Sequence, residues 1–430
     1  SQNGHIHSRL LLQNLWTLSY QTSSPEIITS LWLQASKILR DGFRKMPTFH
    51  HHAKLFKEFW QNHQYIIKDF LSESPLPFLS GHSKYLLSPI FHSNECTRIL
   101  LRRLDDLENN TTSQSANDIL RVYRGLHLMP PAQFITGITI DPIHSGGQLI
   151  DFTSLLHSLS RAGLSIAQTN LIDIIADIKW NRMIKKIDMH EKNSLLWSLT
   201  SQFAFAHDGG TAISNTTTES YLTLLDTLRK YAQNDRHLRR TFNMAAIMFD
   251  KPMVKTGYKA KDRSSDSEYN FMHDFREYVL TPDERANLKT PDIAKHIAML
   301  DRELDGHYMI GDQPVIIEFD GPSHYRRSLD NHGDEPNGST KLQTHILQKL
   351  FPDHVIIRLH HKLGNSFTSL PENEKPDTFA KFRGLISQRT PDAYYIDLHN
   401  GQLRTQTARE LQQRHNNEYG IGITRQPTQM

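Results

Sequence analysis

The chain has 430 residues, with 49 Lys and Arg against 46 Asp and Glu, and 37% of its residues are hydrophobic. This length suits roughly two to four domains, but a formal net charge of +3 is too small to indicate a nucleic-acid partner by itself. No run of about 18 apolar residues is present, so we expect no membrane-spanning helix and no membrane partner. The single cysteine, Cys96, excludes an intrachain disulfide and favours a reducing compartment.

Residues 1–260 are predicted to be mainly helical. Apolar residues recur at spacings of three and four, as in ESYLTLLDTLRKYA (219–232). The phrase SLLHSL (154–159) returns 40 residues later as SLLWSL (194–199), and NLWTL (14–18) is a third match. A unit of that length holds two helices, and stacked pairs of helices bury a continuous core. We therefore expect a helical-repeat array, an α-solenoid, with Trp197 and Trp16 in its core. The alternative is a bundle without repeats in which similar Leu-rich phrases coincide.

A basic segment, residues 229–263, closes the helical region. It contains ten Lys or Arg and three Asp. Such a run is either a solvated face or a surface that contacts phosphates, and Phe242 and Tyr258 among the cations suit the second. Residues 255–268 are predicted to be a linker. The candidate nucleic-acid-binding residues are Arg229, Lys230, Arg236, Arg239, Arg240, Lys251, Lys255, Lys259 and Lys261.

Residues 266–400 are predicted to form an α/β domain, followed by a tail (401–430) with one short helix. The expected elements are a helix at 267–280, strands at 305–310 and 314–319, a helix at 339–351 and a strand at 354–359. A short turn at 311–313 joins the first two strands, and Ser339 is a plausible N-cap for the second helix.

Two carboxylates stand at the end of the second strand. Side chains alternate along a strand, so Glu318 and Asp320 share one face. A hairpin that pairs Ile310 with Pro314 brings Asp305 close to Glu318. Three carboxylates that converge repel one another unless a cation or proton is present, and Mg²⁺ or Mn²⁺ suits such oxygen ligands. Either Asp305, Glu318 and Asp320 hold a metal ion, or they are exposed strand ends beside an Asp-Gly turn.

VIIEFDGPSHY (315–325) followed by GSTKLQTHILQKLFPDHVIIRL (338–359) resembles the RAP domain. This module occurs in organellar and apicomplexan RNA-processing proteins and in some bacterial proteins. Its signature is an apolar strand ending in Glu-x-Asp-Gly-Pro-x-His, a helix that carries a Lys, and a second apolar strand. Glu318, Asp320 and His324 fall on the first strand and Lys341 on the helix, within a match over residues 266–365. Residues 328–339 form a longer insertion than is usual, and the Trp that often follows the last strand is absent, although Phe367 could stand in.

RAP domains are similar to PD-(D/E)XK nucleases, which have the restriction-endonuclease-like fold. In active nucleases an Asp and a second acidic residue bind metal, and a Lys two residues on orients the attacking water. Asp305 and Glu318 match the metal positions, but Asp320 stands where the Lys would be. The resemblance therefore implies either binding alone or Mg²⁺- or Mn²⁺-dependent cleavage of RNA or DNA. In the second case Asp320 would bind the metal or act as a base, and Lys341 or His324 would assist.

The Leu-rich phrases are similar to those of octotricopeptide-type repeats and of FAST-kinase-domain proteins, in which helical hairpins precede a C-terminal RAP domain. This likeness implies a solenoid that tracks single-stranded RNA. The expected function is RNA binding in RNA processing or metabolism. The alternatives are a metal-dependent nuclease and a protein-interaction scaffold or translocated bacterial effector. The expected compartment is a bacterial cytoplasm, with an organelle or a host cell as alternatives, and the oligomeric state is left open.

Overall fold

The computed structural model describes most residues between 143 and 418 and only short pieces of the chain before them. From residue 143 onward it describes 143–166, 172–255, 266–286, 300, 304–327, 334–399 and 402–418. Nearer the N-terminus it describes 14, 15, 17, 18, 21, 22, 24–43, 62–67, 69–80, 100–102, 104, 113–125, 128–130, 134, 135 and 138. Trp16, Cys96, Lys259 and Lys261 lie outside these residues. None of the helices described here has the length and apolar character needed to cross a membrane.

Packing divides the chain into two compact units. The first comprises residues 1–130 with 137–139, and the second comprises 131–136 with 140–430. The predicted boundary at 260–266 therefore falls inside the second unit. The first unit is helical where it is described, with helix α1 at Pro25–Phe43 and α2 at Ser113–Gly125. Ile28 and Trp32 of α1 and Ile119 and Tyr123 of α2 are buried.

The second unit begins with a stack of helices. They are α3 (Gly146–Ala162), a 3₁₀ turn (Asp173–Asp177), α4 (Trp180–Met183), α5 (Met189–Asp208), α6 (Asn215–Ala232) and α7 (Arg236–Met248). A capping box starts each of α3 and α5. The side chains of Ser145 and Asp188 accept hydrogen bonds from the amides of Gln148 and Glu191, whose own side chains accept from the amides of Ser145 and Asp188. Helix α5 packs between α3 and α7, whereas α6 packs on the 3₁₀ turn, α4 and α7. Among the described residues of 1–260, the prediction of a mainly helical region is confirmed, and the solenoid stays a prediction.

The two repeated phrases lie against each other on α3 and α5. His157 and Trp197 occupy equivalent positions, and their rings lie 5.1 Å apart between centroids at 59°. The Ser160 hydroxyl donates to the Ser198 carbonyl at 3.2 Å, and the Gln202 amide donates to Ser160 Oγ at 2.9 Å. Trp197 is buried, as predicted for a core residue.

A five-stranded mixed sheet lies at the centre of the rest of the second unit. Its strands are β1 (Gly306–Ile310), β2 (Gln313–Asp320), β5 (Val355–His360), β6 (Asp392–His399) and β7 (Gln402–Thr407), in that spatial order, and β3 (Tyr325–Arg327) pairs separately with β4 (Asp334–Pro336). The pairs β2–β5 and β5–β6 are parallel, and the two outer pairs are antiparallel. Ile310 pairs with Gln313, one residue from the predicted register, because the turn is tighter and Gly311 has a φ of 62°.

Helices cover both faces of the sheet. One face packs on α8 (Asp266–Tyr278), α11 (His361–Thr368) and α12 (Lys375–Ser387), and the other on α10 (Gly338–Leu350) and α13 (Ala408–Glu418), while α9 (Pro282–Ala286) lies beside β1. Val315 and Ile317 point to the first face and Ile316 to the second, as alternation requires. Residues 402–418, assigned to a tail from the sequence, form β7 and α13. The expected α/β domain is thus present at a coarse level, with a longer sheet than the sequence indicated.

Candidate functional site

The motif carboxylates lie at the carboxyl end of β2, on the face that packs against α10. Glu318 and Asp320 are both about 1% exposed. Asp305, just before β1, is half-buried, and its carboxylate accepts a hydrogen bond from the Phe319 amide at 2.8 Å. The hairpin therefore brings Asp305 to the end of β2, where it binds the backbone of the residue between the two motif carboxylates.

Arg358 on β5 lies directly beside Glu318 in the parallel register and is fully buried. Its Nε donates to Asp320 Oδ2 at 2.7 Å, its Nη2 donates to Asp320 Oδ1, and its Nη1 lies 3.9 Å from Glu318 Oε2. Burial alone would raise the pKa of Asp320. The charge of Arg358 and hydrogen bonds from His324 and Arg358 outweigh burial and hold that pKa far below its usual range. This guanidinium, which the motif pattern does not include, places positive charge between the two carboxylates.

The rest of the motif joins β2 to the start of α10. His324 Nδ1 lies 3.1 Å from Asp320 Oδ1 and 3.1 Å from Thr340 Oγ1, with its side chain about one third exposed. The amide of Asn337 donates to the His324 carbonyl at 2.8 Å, and its side chain caps α10 by accepting from the Thr340 amide. Asn337, not Ser339, is therefore the N-cap. The His324 ring therefore contacts the buried Asp320 and Thr340 through Nδ1, while part of the side chain is exposed to solvent.

Lys341 contacts a different part of the molecule from the motif carboxylates. Its ammonium donates to the Gly163 carbonyl at 3.0 Å and to Gln412 Oε1 at 3.1 Å, and it lies 2.7 Å from His415 Nδ1. Burial, with the nearby charge of Lys341, lowers the pKa of His415 to about 4, so the ring is neutral at pH 7 and accepts this bond. Lys341 thereby ties α10 to the end of α3 and to α13.

The carboxylates predicted as metal ligands are not gathered around one point. Within the described part of the chain, the one group of three His, Cys, Asp or Glu close enough to share an ion is His207, Asp208 and His345. The Mg²⁺ or Mn²⁺ role of Asp305, Glu318 and Asp320 stays a prediction.

The basic segment divides into structural and exposed cations. Arg239 donates to the carbonyls of Ala232 and Gln233 at 3.1 and 2.7 Å, which closes the turn between α6 and α7. Arg229 donates to the Pro252 carbonyl at 3.2 Å and lies over the ring of Phe242. Arg240 is half-buried. The exposed cations of the segment that the structure describes are Lys230, Arg236, Lys251 and Lys255.

A histidine–aspartate cluster that the sequence did not reveal lies between α5 and α10. His345 Nδ1 lies 2.7 Å and His207 Nδ1 lies 3.5 Å from Asp208 Oδ1, with 5.0 Å between the ring centroids. The hydrogen bond to Asp208 raises the pKa of His207. Burial would raise the pKa of Asp208, but the charge of His345 and hydrogen bonds from both imidazoles outweigh it and lower that pKa. The cluster opens into a pocket of about 310 Å³ that Lys349, Asp392 and Arg409 also line.

No known protein family and no curated protein matches this chain. The likeness to RAP domains and to octotricopeptide-type repeats therefore stays a prediction, carried by residues 315–325, 338–359 and the repeated Leu-rich phrases.

Proposed function

We propose that this protein binds single-stranded RNA and acts in RNA processing, with an α-solenoid body followed by a RAP-like domain of nuclease-like fold. The observation that carries the proposal is the cationic surface formed by the end of α6, the start of α7 and residues 251–255. Between residues 229 and 255 the chain has seven Lys or Arg and two Asp. Four of these cations are exposed, as a phosphate-contacting surface requires.

This surface is held in place before any ligand arrives. Asn243 holds the strap at 251–255 over α7, because its side chain donates to the Val254 carbonyl at 3.0 Å and accepts from the Val254 amide at 2.8 Å. Arg229 anchors Pro252 beside the end of α6. The backbone that carries Lys251 and Lys255 is therefore fixed against α7 and the end of α6. A preorganised backbone loses less entropy on binding than a free loop, which favours affinity for a chain of phosphates.

The helical stack supports an extended ligand better than a small one. The two repeated phrases pack face to face on α3 and α5, and contacts between side chains some 40 residues apart recur between the layers, as in Trp180 Nε1 to Ser220 Oγ at 2.8 Å. Such stacking of similar units produces an elongated surface. Binding is favoured over cleavage because the Arg358 guanidinium already pairs with Asp320 and lies 3.9 Å from Glu318, so a metal ion at the end of β2 would have to compete with this cation.

Charge reversal of the four exposed cations tests the interface. For four phosphate contacts on a single strand, affinity should fall about 50-fold between 50 and 200 mM salt. The variant Lys230→Glu, Arg236→Glu, Lys251→Glu, Lys255→Glu should lose most of that salt dependence and bind at least about tenfold more weakly at the lower salt. Fluorescence anisotropy with a labelled 20-nucleotide oligouridine measures both quantities.

A matched control carries the same change of charge on α4, which packs beside α6. Lys179, Arg182, Lys185 and Lys186 are also four exposed cations, on and around α4. Their reversal to Glu should cost clearly less affinity than reversal of the interface cations, and no more than about threefold at 200 mM salt, because charges that do not touch phosphates act only through a field that salt screens within roughly 8–10 Å. Equal losses in both variants, or a flat salt dependence in the unchanged protein, would refute the proposed surface.

Metal-dependent cleavage is the second candidate function, favoured by the position of Asp305 at the end of the strand that carries Glu318 and Asp320. If it holds, purified protein with Mg²⁺ or Mn²⁺ cleaves RNA or DNA, and Glu318→Gln abolishes cleavage while oligouridine binding is retained. Intact substrates after incubation with either ion would reject the nuclease and leave binding in place. Absence of both activities, with a 260/280 nm absorbance ratio typical of protein alone, would instead favour the scaffold alternative.

A further inference from the structure

We propose that His207, Asp208 and His345 bind one divalent transition metal ion, Zn²⁺ in the first instance, in the pocket between α5 and α10. Each residue offers one ligand atom, and these atoms all lie within 4.8 Å of one another. Two imidazole nitrogens and one carboxylate oxygen form a ligand set that suits Zn²⁺, whereas Mg²⁺ prefers oxygen alone. The site is separate from the predicted carboxylate site on β2.

The distances are close to those of a formed site. Ligands at about 2.0–2.1 Å from a tetrahedral ion lie roughly 3.3 Å apart. The 3.5 Å between His207 Nδ1 and Asp208 Oδ1 fits that separation. The 2.7 Å between His345 Nδ1 and Asp208 Oδ1 is a hydrogen bond, which an ion would replace after a shift of roughly 0.6 Å.

The surroundings leave room for a further ligand. Three protein ligands hold catalytic and other open Zn²⁺ sites, with water in the fourth position. The pocket of about 310 Å³ provides that position. Lys349 and Arg409 balance the charges of Asp208 and Asp392 around it, so the ion would add net positive charge and the open position should favour hydroxide or another anion.

The ligands also bridge two parts of the second unit. His207 and Asp208 end α5 of the helical stack, whereas His345 lies in the middle of α10, against the sheet. An ion at this point would join the helical layer to the α/β layer. Because it binds only the folded arrangement, it should raise the thermal midpoint of unfolding.

Zinc titration of the full chain after chelator treatment tests the proposal. His207 has a side chain 70% exposed, so His207→Ala should fold normally. We expect the unchanged protein to bind one Zn²⁺ that His207→Ala loses, or binds at least about tenfold more weakly, in isothermal titration calorimetry. The rise of the thermal midpoint with Zn²⁺ should disappear in the same variant. Co²⁺ provides a second readout through its visible absorption.

Three further variants make the result unambiguous. His190→Ala removes another exposed histidine of the same helix and should keep both stoichiometry and affinity. His50, His51 and His52 lie outside the described residues. Because short histidine tracts bind metals, the titration is repeated with these three residues changed to Ala. Equal Zn²⁺ binding by His207→Ala and His190→Ala in that background, or no Zn²⁺ binding at all, would overturn the proposal. Asp208→Asn, which keeps the shape of the side chain, should behave like His207→Ala.

Discussion

Replacing Arg358 with Met should lower the free energy of unfolding of the second unit by about 3–5 kcal/mol, because it leaves buried carboxylates without their cation. Arg358 is fully buried, and Asp320 receives two hydrogen bonds from its guanidinium. Met fills a similar volume, so little of the loss would come from a cavity. Urea unfolding followed by tryptophan fluorescence, which reports Trp180 and Trp197 in this unit, measures the shift.

A triple variant distinguishes the effect of the lost charge from an effect of packing. The triple variant Arg358→Met, Asp320→Asn, Glu318→Gln removes the charges together and should recover much of the stability, since whole buried ion clusters are often replaced at little cost. Arg182→Met, an exposed Arg on α4, should change stability by no more than about 0.5 kcal/mol. A loss below about 1 kcal/mol for Arg358→Met would show that Asp320 and Glu318 do not depend on this cation.

Gly338→Ala should destabilise the second unit by about 3 kcal/mol, at the upper end for overpacking. Gly338 is the first residue of α10, and a Cβ built on it would overlap the carbonyl oxygen of Ser160 and approach Gly163 N to 3.1 Å. A backbone oxygen cannot rotate away as a side chain can. The two helices would have to move apart, which would also strain the bond from Lys341 to the Gly163 carbonyl.

A second glycine gives a control of opposite sign. Gly384 lies inside α12, is exposed, and has open space where a Cβ would go. Gly384→Ala should therefore stabilise the protein by roughly 0.5–1 kcal/mol through helix propensity. Thermal unfolding of both variants compares them directly. A Gly338→Ala protein as stable as the parent would mean that α10 and α3 do not approach as closely as their backbones indicate.

The strands and the motif hairpin could be read from the sequence because their signals are local. Alternation along 314–319 placed Val315 and Ile317 on one face and Glu318 on the other, and the sheet has that arrangement. The register error of one residue came from the turn, where the positive φ of Gly311 permits a two-residue connection. Asn337 displaced Ser339 as the cap because two side chains with similar capping ability stood two residues apart.

The structural features that the sequence does not predict depend on long-range packing or on buried polar groups. Helix α13 packs through Gln412, His415 and Asn416, which are buried. Such polar residues look solvent-exposed in a hydrophobicity pattern, so the sequence predicts only a tail there. The cluster at His207, Asp208 and His345 joins residues 137 positions apart, with no spacing to recognise. Arg358 did leave a local signal, since a single charge inside the apolar strand HVIIRL demands a buried partner.

The close seam between α3 and α10 has a mechanical consequence. Side chains of α10 reach Gly163 and Asp208, and Gly338 lies against Ser160, so the helical stack and the sheet share one interior. The helical stack and the sheet therefore belong to one compact unit and do not tumble independently, although the sequence predicts a linker at 255–268 between them. A fragment that starts at residue 266 would lose the Gly163 carbonyl that accepts a hydrogen bond from Lys341, and would expose the face of α10 that packs on the helical stack. Cutting there should yield a poorly soluble, partly folded piece, and the two halves should lose structure together when force is applied across the seam.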